Sequence, residues 1–145
     1  MINYDPDDLR NAALCAWKEA RGEGQMGMRA VLHVLKNRVG EIGFPHTLHD
    51  VIFQKNAFTS MSVSSDPEFN LEPAEGVDPQ FTFCTLAAPA VLDGQDPDPT
   101  GGAHYYENPR TATSGWFGRV IGGPDGTGTL GHPRTAIIGS QWFYR

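Results

Sequence analysis

Hydrophobic and polar positions near the start of the chain recur with the period of an α-helix. Asp5 and Pro6 can begin this helix, because aspartate accepts backbone N–H groups and proline suits the first helical position. Gly22 and Gly24 follow the last position of the pattern and predict the end of the helix. The side that the pattern marks as buried carries Leu9, Ala12, Cys15, Ala16 and Glu19.

A second helix is predicted from about Gly27 to Val39. Its polar positions Arg29, His33 and Lys36 fall on one side, which the pattern assigns to solvent. The opposite, buried side carries Ala30, Val31, Val34 and Leu35.

The middle of the chain is less regular. Gly43 and Pro45 predict a turn region at residues 40–47, and a short helix is expected at about Leu48 to Phe53. Residues 59–78 are polar and lack a clear period, so we expect an irregular surface segment there.

The last half of the chain predicts one helix followed by strands. Asp78 and Pro79 can open a helix to about Asp93, and Pro89 inside it should kink or split it. The segments 101–108 and 136–145 are rich in aromatic and β-branched residues, which favours short strands. The glycine-rich residues between them predict a flexible connection.

Length and composition place these elements in one domain. The chain has 145 residues, of which 39% are hydrophobic, so it can bury a real core. We predict a single domain over residues 1–145, of the mainly helical α+β class, with a small antiparallel sheet. The two cysteines, Cys15 and Cys84, form neither a disulfide framework nor a zinc pattern, and we interpret them as buried free thiols.

Charge and hydropathy exclude several classes of partner. The net charge is −6, and no cluster of lysine and arginine is present, which disfavours a nucleic acid or an anionic membrane surface. No apolar run approaches the roughly 20 residues that a spanning helix needs, so membrane insertion is not expected. The first residues are acidic and polar, unlike a secretory signal.

The residue with the most suggestive position is Glu19. It shares the apolar side of the first helix and lies in the last turn, where burial and the negative end of the helix dipole both favour the protonated carboxyl. A glutamate held partly protonated suits a general acid. The alternative is a carboxylate paired with Arg21 or with a distant arginine. Glu23 could be a second carboxylate, a partner of Arg21 or a solvated loop residue.

The residues Glu19-Ala20-Arg21-Gly22-Glu23 and the helix after them resemble the opening motif of the SleB-type cell wall hydrolases, the spore cortex-lytic family. In that helix the matching positions are Gly27, Ala30-Val31, Val34 and Asn37-Arg38-Val39. Further segments follow in the family's order, namely residues 44–59, residues 92–109, Thr113 with Trp116, and residues 137–145. Two departures stand out. Gln141 occupies the position of a family histidine, and DPDPT replaces DPT at residues 96–100.

The resemblance implies a lysozyme-like, lytic transglycosylase-like fold and a role in cleaving peptidoglycan. The substrate would be the glycan strand, cut at the β-1,4 bond between N-acetylmuramic acid and N-acetylglucosamine. Glu19 would act as the general acid and base of a lytic transglycosylase, without a cofactor or metal. The lack of a signal and of a wall-binding module favours a phage-type lysin, which would wait in the host cytoplasm before release to the cell wall or travel in the virion, with a bacterial origin as the alternative. We expect a monomer.

Aromatic rings and hydroxyls suit sugars, which present CH faces and hydroxyl edges. Alternation along a strand predicts that one of two adjacent tyrosines faces the core and the other the sugar, and Tyr106 shares a face with Asn108. Arg38 is expected to bind Glu19 or Glu23, or to cap the helix at the surface. The residues predicted to bind substrate are Glu23, Tyr105, Tyr106, Asn108, Phe58 and Trp116.

Three other functions remain open at this stage. A hydrolytic muramidase would need a second carboxylate, for which Glu23, Asp96, Asp98 and Glu107 are the candidates. A non-catalytic glycan-binding or virion structural domain would keep the fold without the reaction. A metal-dependent amidase would need ligands that the sequence does not supply in a known motif.

Overall fold

Five helices and three short strands make up the part of the chain that the computed structural model describes, which is residues 2–111, 121 and 131–145. The helices are α1 (Pro6–Ala20), α2 (Gly24–Arg38), α3 (Leu48–Ile52), α4 (Thr59–Ser62) and α5 (Pro79–Leu92), with a 3₁₀ turn at Arg21–Glu23. The strands are β1 (Tyr105–Glu107), β2 (Arg134–Ile138) and β3 (Gln141–Tyr144). The predicted mainly helical α+β class is confirmed.

Helix α1 begins as its sequence predicts. The backbone N–H of Asp8 donates to the Asp5 carboxylate over 2.8 Å, and the backbone N–H of Asp5 donates to the Asp8 carboxylate over 3.2 Å. This reciprocal pair satisfies donors that the first turn would otherwise leave free. Helix α2 begins at Gly24, earlier than predicted, because the chain makes only a 3₁₀ turn between the two helices.

Removing this cap gives a first prediction. The Asp5→Ala variant should lower the free energy of unfolding by about 1 kcal/mol, because the bond from the Asp8 backbone N–H to the Asp5 carboxylate is lost. Urea denaturation measures the change. The matched control is Asp7→Ala, which removes another carboxylate from the first turn but no capping bond. Equal effects of the two substitutions would mean that the bond to the Asp5 carboxylate contributes nothing to stability.

The core lies where α1, α2 and α5 pack together, with α3 and α4 against α1. Helix α1 is buried almost all around, and both cysteines are buried and free, as predicted. Burial raises the pKa of the Cys84 thiol to about 12 and that of Cys15 well above its ordinary value, so both stay protonated. No helix in the described residues is both long and apolar enough to cross a bilayer.

Three predictions about the helices need correction. His33 is 1% exposed rather than on the solvent side, because its Nε2 lies 2.6 Å from the Asp96 carboxylate, a charged partner that offsets the cost of burial. Helix α5 is not split, and runs unbroken through Pro89. The segment 59–78 is not wholly irregular, since it contains α4.

The three strands form one antiparallel sheet in the order β1-β3-β2. The predicted small antiparallel sheet is thus confirmed. The segment 136–145 is a hairpin rather than one strand, because the chain reverses at Gly139 and Ser140 between β2 and β3. Gly139 has a φ of +59°, and a Cβ there would lie 2.7 Å from a carboxylate oxygen of Glu23. Phe143 on β3 packs with Ala30 and Val34 of α2, which fixes the sheet to the helices.

Candidate active site

Glu19 lies in the last turn of α1, half-buried, at the side of a cleft of about 670 Å³. The walls of this cleft come from the ends of α1 and α2, from the segment 43–58 and from β1. The sequence placed Glu19 on the buried side of α1. In the structure, Glu19 is the residue on the buried side of α1 whose side chain lines the cleft.

Two hydroxyl groups bind the Glu19 carboxylate, one on each oxygen. The Ser60 hydroxyl donates to Oε2 over 2.8 Å, and the Tyr106 hydroxyl donates to Oε1 over 2.6 Å. Hydrogen bonds to an ionised carboxylate are stronger than bonds between neutral groups. The two bonds therefore fix the rotation of the carboxylate as well as its position.

Ser60 is held in place by a buried lysine of α1. The Lys18 ammonium donates to the backbone carbonyls of Ser60, over 3.3 Å, and Phe69, over 2.8 Å. Lys18 is 8% exposed, so these contacts supply the polar partners that a buried ammonium requires. Because Lys18 and Glu19 are neighbours on α1, the same helix places both the carboxylate and its hydroxyl donor.

Tyr106 is placed by the sheet. It lies opposite Phe143 in the pairing of β1 with β3, and the two rings lie 5.7 Å apart between centroids. Burial, and after it the charge of the Glu19 carboxylate, raise the pKa of Tyr106 well above its ordinary value. The phenol therefore remains a proton donor in its hydrogen bond to Glu19.

Arg38, the last residue of α2, forms another side of the cleft. Its Nε donates to the backbone carbonyl of His104 over 2.7 Å. Its guanidinium carbon lies 5.0 Å from the ring centroids of both Phe44 and Phe58, and 5.8 Å from that of Tyr105. The prediction that Arg38 binds Glu19 or Glu23, or caps the helix at the surface, was wrong, since the side chain lies buried among rings.

Two other predicted residues line the same cleft. Phe58 is 2% exposed, so it forms the floor and is also part of the core. Tyr105 is half-buried and contacts the ring of Phe44 at 5.7 Å and that of His132 at 5.0 Å. Strand alternation predicted one tyrosine in the cleft, but both Tyr105 and Tyr106 line it.

Glu23 and Asn108 lie together, but do not line the cleft that holds Glu19. Glu23 accepts hydrogen bonds from the Ser140 hydroxyl and, over 3.2 Å, from its backbone N–H. The Asn108 amide donates to the same hydroxyl over 3.4 Å. Glu23 is therefore neither solvated nor a partner of Arg21. Trp116 lies outside the described residues.

Arg21 is paired with Glu68 instead. Its Nη2 lies 3.0 Å from a Glu68 oxygen, and Nη1 contacts the other oxygen. The guanidinium carbon also lies 4.3 Å from the centre of the Trp17 ring. The alternative in which Glu19 is paired with Arg21 was thus wrong, and the partners of the Glu19 carboxylate among the described residues are the hydroxyls of Ser60 and Tyr106.

The other candidate carboxylates are engaged elsewhere. The Asp96 carboxylate binds Arg29 over 2.6 Å together with His33, and Asp98 accepts a bond from the Asn37 amide over 2.9 Å. Glu107 is half-buried, and burial raises its pKa. Among the described residues that line the cleft, Glu19 is the sole carboxylate. Within the same described residues, no group of three or more His, Cys, Asp or Glu side chains could hold a metal ion.

The comparisons with known proteins agree with this architecture. The Cell Wall Hydrolase family model matches residues 22–123. The spore cortex-lytic enzyme of Bacillus cereus is 40% identical over 115 residues, which cover 79% of this chain and 39% of that protein. The spore cortex-lytic enzyme of Halalkalibacterium halodurans is also 40% identical over 115 residues, covering 79% of this chain and 31% of that protein. The chain thus spans well under half the length of these relatives.

Two solved structures have a fold similar to that of this chain. The catalytic domain of the germination-specific lytic transglycosylase SleB from Bacillus anthracis matches with a TM-score of 0.72 at 33% identity, covering 99% of this chain and 98% of that one. The catalytic domain of the Bacillus cereus SleB protein matches with a TM-score of 0.71 at 33% identity, covering 99% and 93%. The fold is therefore lysozyme-like, as predicted, and the chain belongs to the cell wall hydrolase family.

Proposed function

We propose that this chain cleaves the glycan strand of peptidoglycan as a lytic transglycosylase, with Glu19 as its general acid and base. The bond cut is the β-1,4 link between N-acetylmuramic acid and N-acetylglucosamine. Membership of the cell wall hydrolase family and the likeness to a catalytic domain described as a lytic transglycosylase support this choice. The family match begins at Gly22, so the role of Glu19 rests on its geometry.

In the first step, the protonated Glu19 carboxyl gives its proton to the oxygen that links the two sugars. The bond from that oxygen to C1 of muramic acid breaks, and the N-acetylglucosamine end leaves with a free 4-hydroxyl. An electron-poor, oxocarbenium-like centre develops at C1. Ser60 and Tyr106 hold the carboxyl in a fixed orientation during the transfer, which is how positioning contributes to rate.

In the second step, the Glu19 carboxylate takes the proton of the muramic acid 6-hydroxyl. The oxygen of that hydroxyl then bonds to C1 and closes a 1,6-anhydro ring. No water is consumed, and the carboxyl returns to its protonated form. One carboxylate therefore completes the cycle, acting first as acid and then as base.

The observation that carries the proposal is the single carboxylate in the cleft. A muramidase that works by a two-carboxylate mechanism needs a second carboxyl about 5–9.5 Å from the first, across the scissile bond. The described residues that line the cleft supply only Glu19, whose two oxygens are both held by hydroxyls. This arrangement suits a reaction in which one group transfers the proton in both directions.

The hydroxyls give a prediction of their own. The Tyr106→Phe and Ser60→Ala variants should each lower the rate of glycan cleavage about tenfold to a hundredfold, because each loses one charge-assisted hydrogen bond to Glu19. The rate is measured as release of soluble fragments from purified sacculi. The matched control is Tyr4→Phe, which removes a tyrosine hydroxyl that donates to Asp93 over 2.7 Å and does not line the cleft. An equal loss in that variant would contradict a specific role for Tyr106.

The proposed function is tested by digesting purified sacculi and identifying the new chain ends. We expect soluble fragments with new sugar ends, in the presence or absence of a chelator. New amino groups, together with loss of activity in chelator, would support a metal-dependent amidase instead. Binding to sacculi without release of fragments would support a non-catalytic domain. Action at the cell wall follows from the proposed substrate, whereas a phage origin and a monomeric state remain predictions.

A further inference from the structure

Arg38 has more hydrogen-bond donors than the described residues use. A guanidinium carries five N–H donors, of which one is on Nε. That one donates to the backbone carbonyl of His104 over 2.7 Å. The four donors on Nη1 and Nη2 have no hydrogen-bond partner among the residues that the structure describes, and no carboxylate among those residues forms an ion pair with Arg38.

This is an unusual state for a buried cation. Arg38 is only 8% exposed, and burial lowers the pKa of its guanidinium below the ordinary value. Removing a charge from water is costly unless a partner replaces the lost hydration. The faces of Phe44 and Phe58 offset part of that cost by cation–π contact at 5.0 Å. Among the described residues, no carboxylate or carbonyl gives such compensation to the edge of the guanidinium that carries the four remaining donors, and Arg38 lines the cleft.

The surroundings also fix where this edge can find a partner. The rings of Phe44, Phe58 and Tyr105, together with the bond to His104, hold the plane of the guanidinium in one orientation. Arg38 lines the same cleft as Glu19, so a ligand in that cleft can reach it. A planar guanidinium whose two terminal nitrogens have no partner in the described part of the chain matches the paired oxygens of a carboxyl group, or a single carbonyl oxygen.

The proposed substrate offers one group of this kind close to the bond that is cut. The two sugars of the glycan strand are alike, except that muramic acid carries a lactyl group on C3, which ends in a carboxyl carbon. That group is a carboxylate when free and presents a carbonyl oxygen when a stem peptide is attached. A strand of N-acetylglucosamine alone carries no such group.

We propose that Arg38 binds the lactyl group of the muramic acid whose glycosidic bond is cleaved, and so selects muramic acid over N-acetylglucosamine at that position. This inference rests on the proposed function, since it names the part of the proposed substrate that the cleft recognises. Arg38 is thereby a substrate-binding residue and leaves the proton transfers to Glu19.

The first test uses the wild-type protein and two soluble disaccharides that lack the scissile bond. One is N-acetylglucosaminyl-N-acetylmuramic acid with a free lactyl carboxylate, and the other is the matching disaccharide of N-acetylglucosamine. Titration followed by NMR should give a Kd about tenfold or more lower for the muramoyl ligand. Equal Kd values would overturn the proposal without any variant.

The second test compares variants with the same change of charge. Arg38→Met keeps an apolar stem beside the rings, and Lys55→Met removes an exposed cation that lines the same cleft. We expect Arg38→Met to lose the preference for the muramoyl ligand and Lys55→Met to keep it. A folded Arg38→Met protein that keeps the preference would overturn the proposal. If that protein does not fold, Arg38→Lys, which keeps the charge without the planar fork, should show a reduced preference.

A third ligand separates the lactyl group from the peptide attached to it. The muramoyl disaccharide with a stem peptide should be preferred through Arg38 to a similar or smaller degree than the free acid. A preference that appears only with the peptide would overturn the assignment to the lactyl group. Binding does not require turnover, so this outcome is independent of the proposed function. Equal affinity of the wild-type protein for the two disaccharides rejects only the role of Arg38, whereas failure of the wild-type protein to cleave sacculi rejects only the proposed reaction.

Discussion

Replacing Glu19 with glutamine should lower the rate of glycan cleavage about a thousandfold, since positioned acid–base groups contribute about 10² to 10⁴ and one group here serves both steps. Glutamine has the shape of glutamate but cannot give or take the proton. Its amide can still bond to Ser60 and Tyr106, so the cleft should keep its form. Release of soluble fragments from sacculi measures the rate, and circular dichroism verifies the fold.

The control for this experiment is Glu23→Gln, which makes the same chemical change four residues along the chain. Glu23 binds the hairpin turn at Ser140 and does not line the cleft, so its variant should lose stability rather than the proton transfer. A larger loss of rate in Glu23→Gln than in Glu19→Gln would reverse the two assignments. Equal rates for wild type and Glu19→Gln would remove Glu19 from the reaction.

Replacing Phe143 with alanine should lower the free energy of unfolding by about 3–5 kcal/mol, the usual cost of deleting a buried aromatic ring. Phe143 is fully buried and packs against Ala30 and Val34 of α2. It also contacts the ring of Tyr106, whose hydroxyl binds Glu19. The variant should therefore lose activity at temperatures at which it is still folded, because the sheet no longer holds Tyr106 firmly.

Chemical denaturation measures this change, with Ile137→Ala as the control. Ile137 lies on the neighbouring strand and is 55% exposed, so its loss should alter stability by no more than about 0.5 kcal/mol. A Phe143→Ala protein of wild-type stability would contradict the view that this ring joins the sheet to the helices.

Local sequence features were sufficient to predict the helices that begin with a clear cap. Asp5 with Pro6 and Asp78 with Pro79 mark helix starts that the structure confirms. These signals act within one turn of the backbone, so they can be identified without knowledge of distant residues. Glu19 was identified for the same reason, because the period of α1 placed a carboxylate on its buried side.

Features that depend on distant partners were not predicted. His33 was assigned to solvent because its partner Asp96 lies 63 residues away in sequence. Arg38 was interpreted as a carboxylate partner or a surface cap, whereas its true neighbours are rings from three separate segments. Periodicity describes one helix or strand at a time and carries no information about contacts between residues that are distant in sequence.

Ser60 was missed altogether. It lies in a polar stretch without a clear period, and its importance comes from Lys18, which holds its backbone against α1. The hairpin was missed for a different reason. A turn of two residues at Gly139 and Ser140 interrupts the strand pattern too briefly for alternation to reveal it. The glycine was the one available signal.

The most direct test of the proposed reaction is to digest sacculi with the wild-type protein in water enriched in the heavy isotope of oxygen. The masses of the soluble products are then measured by mass spectrometry. A lytic transglycosylase closes the anhydro ring with the substrate's own 6-hydroxyl. Its products should be lighter by one water than those of a muramidase and should contain no heavy oxygen. Products with a reducing muramic acid end that carries one heavy oxygen atom would contradict the proposal and establish hydrolysis.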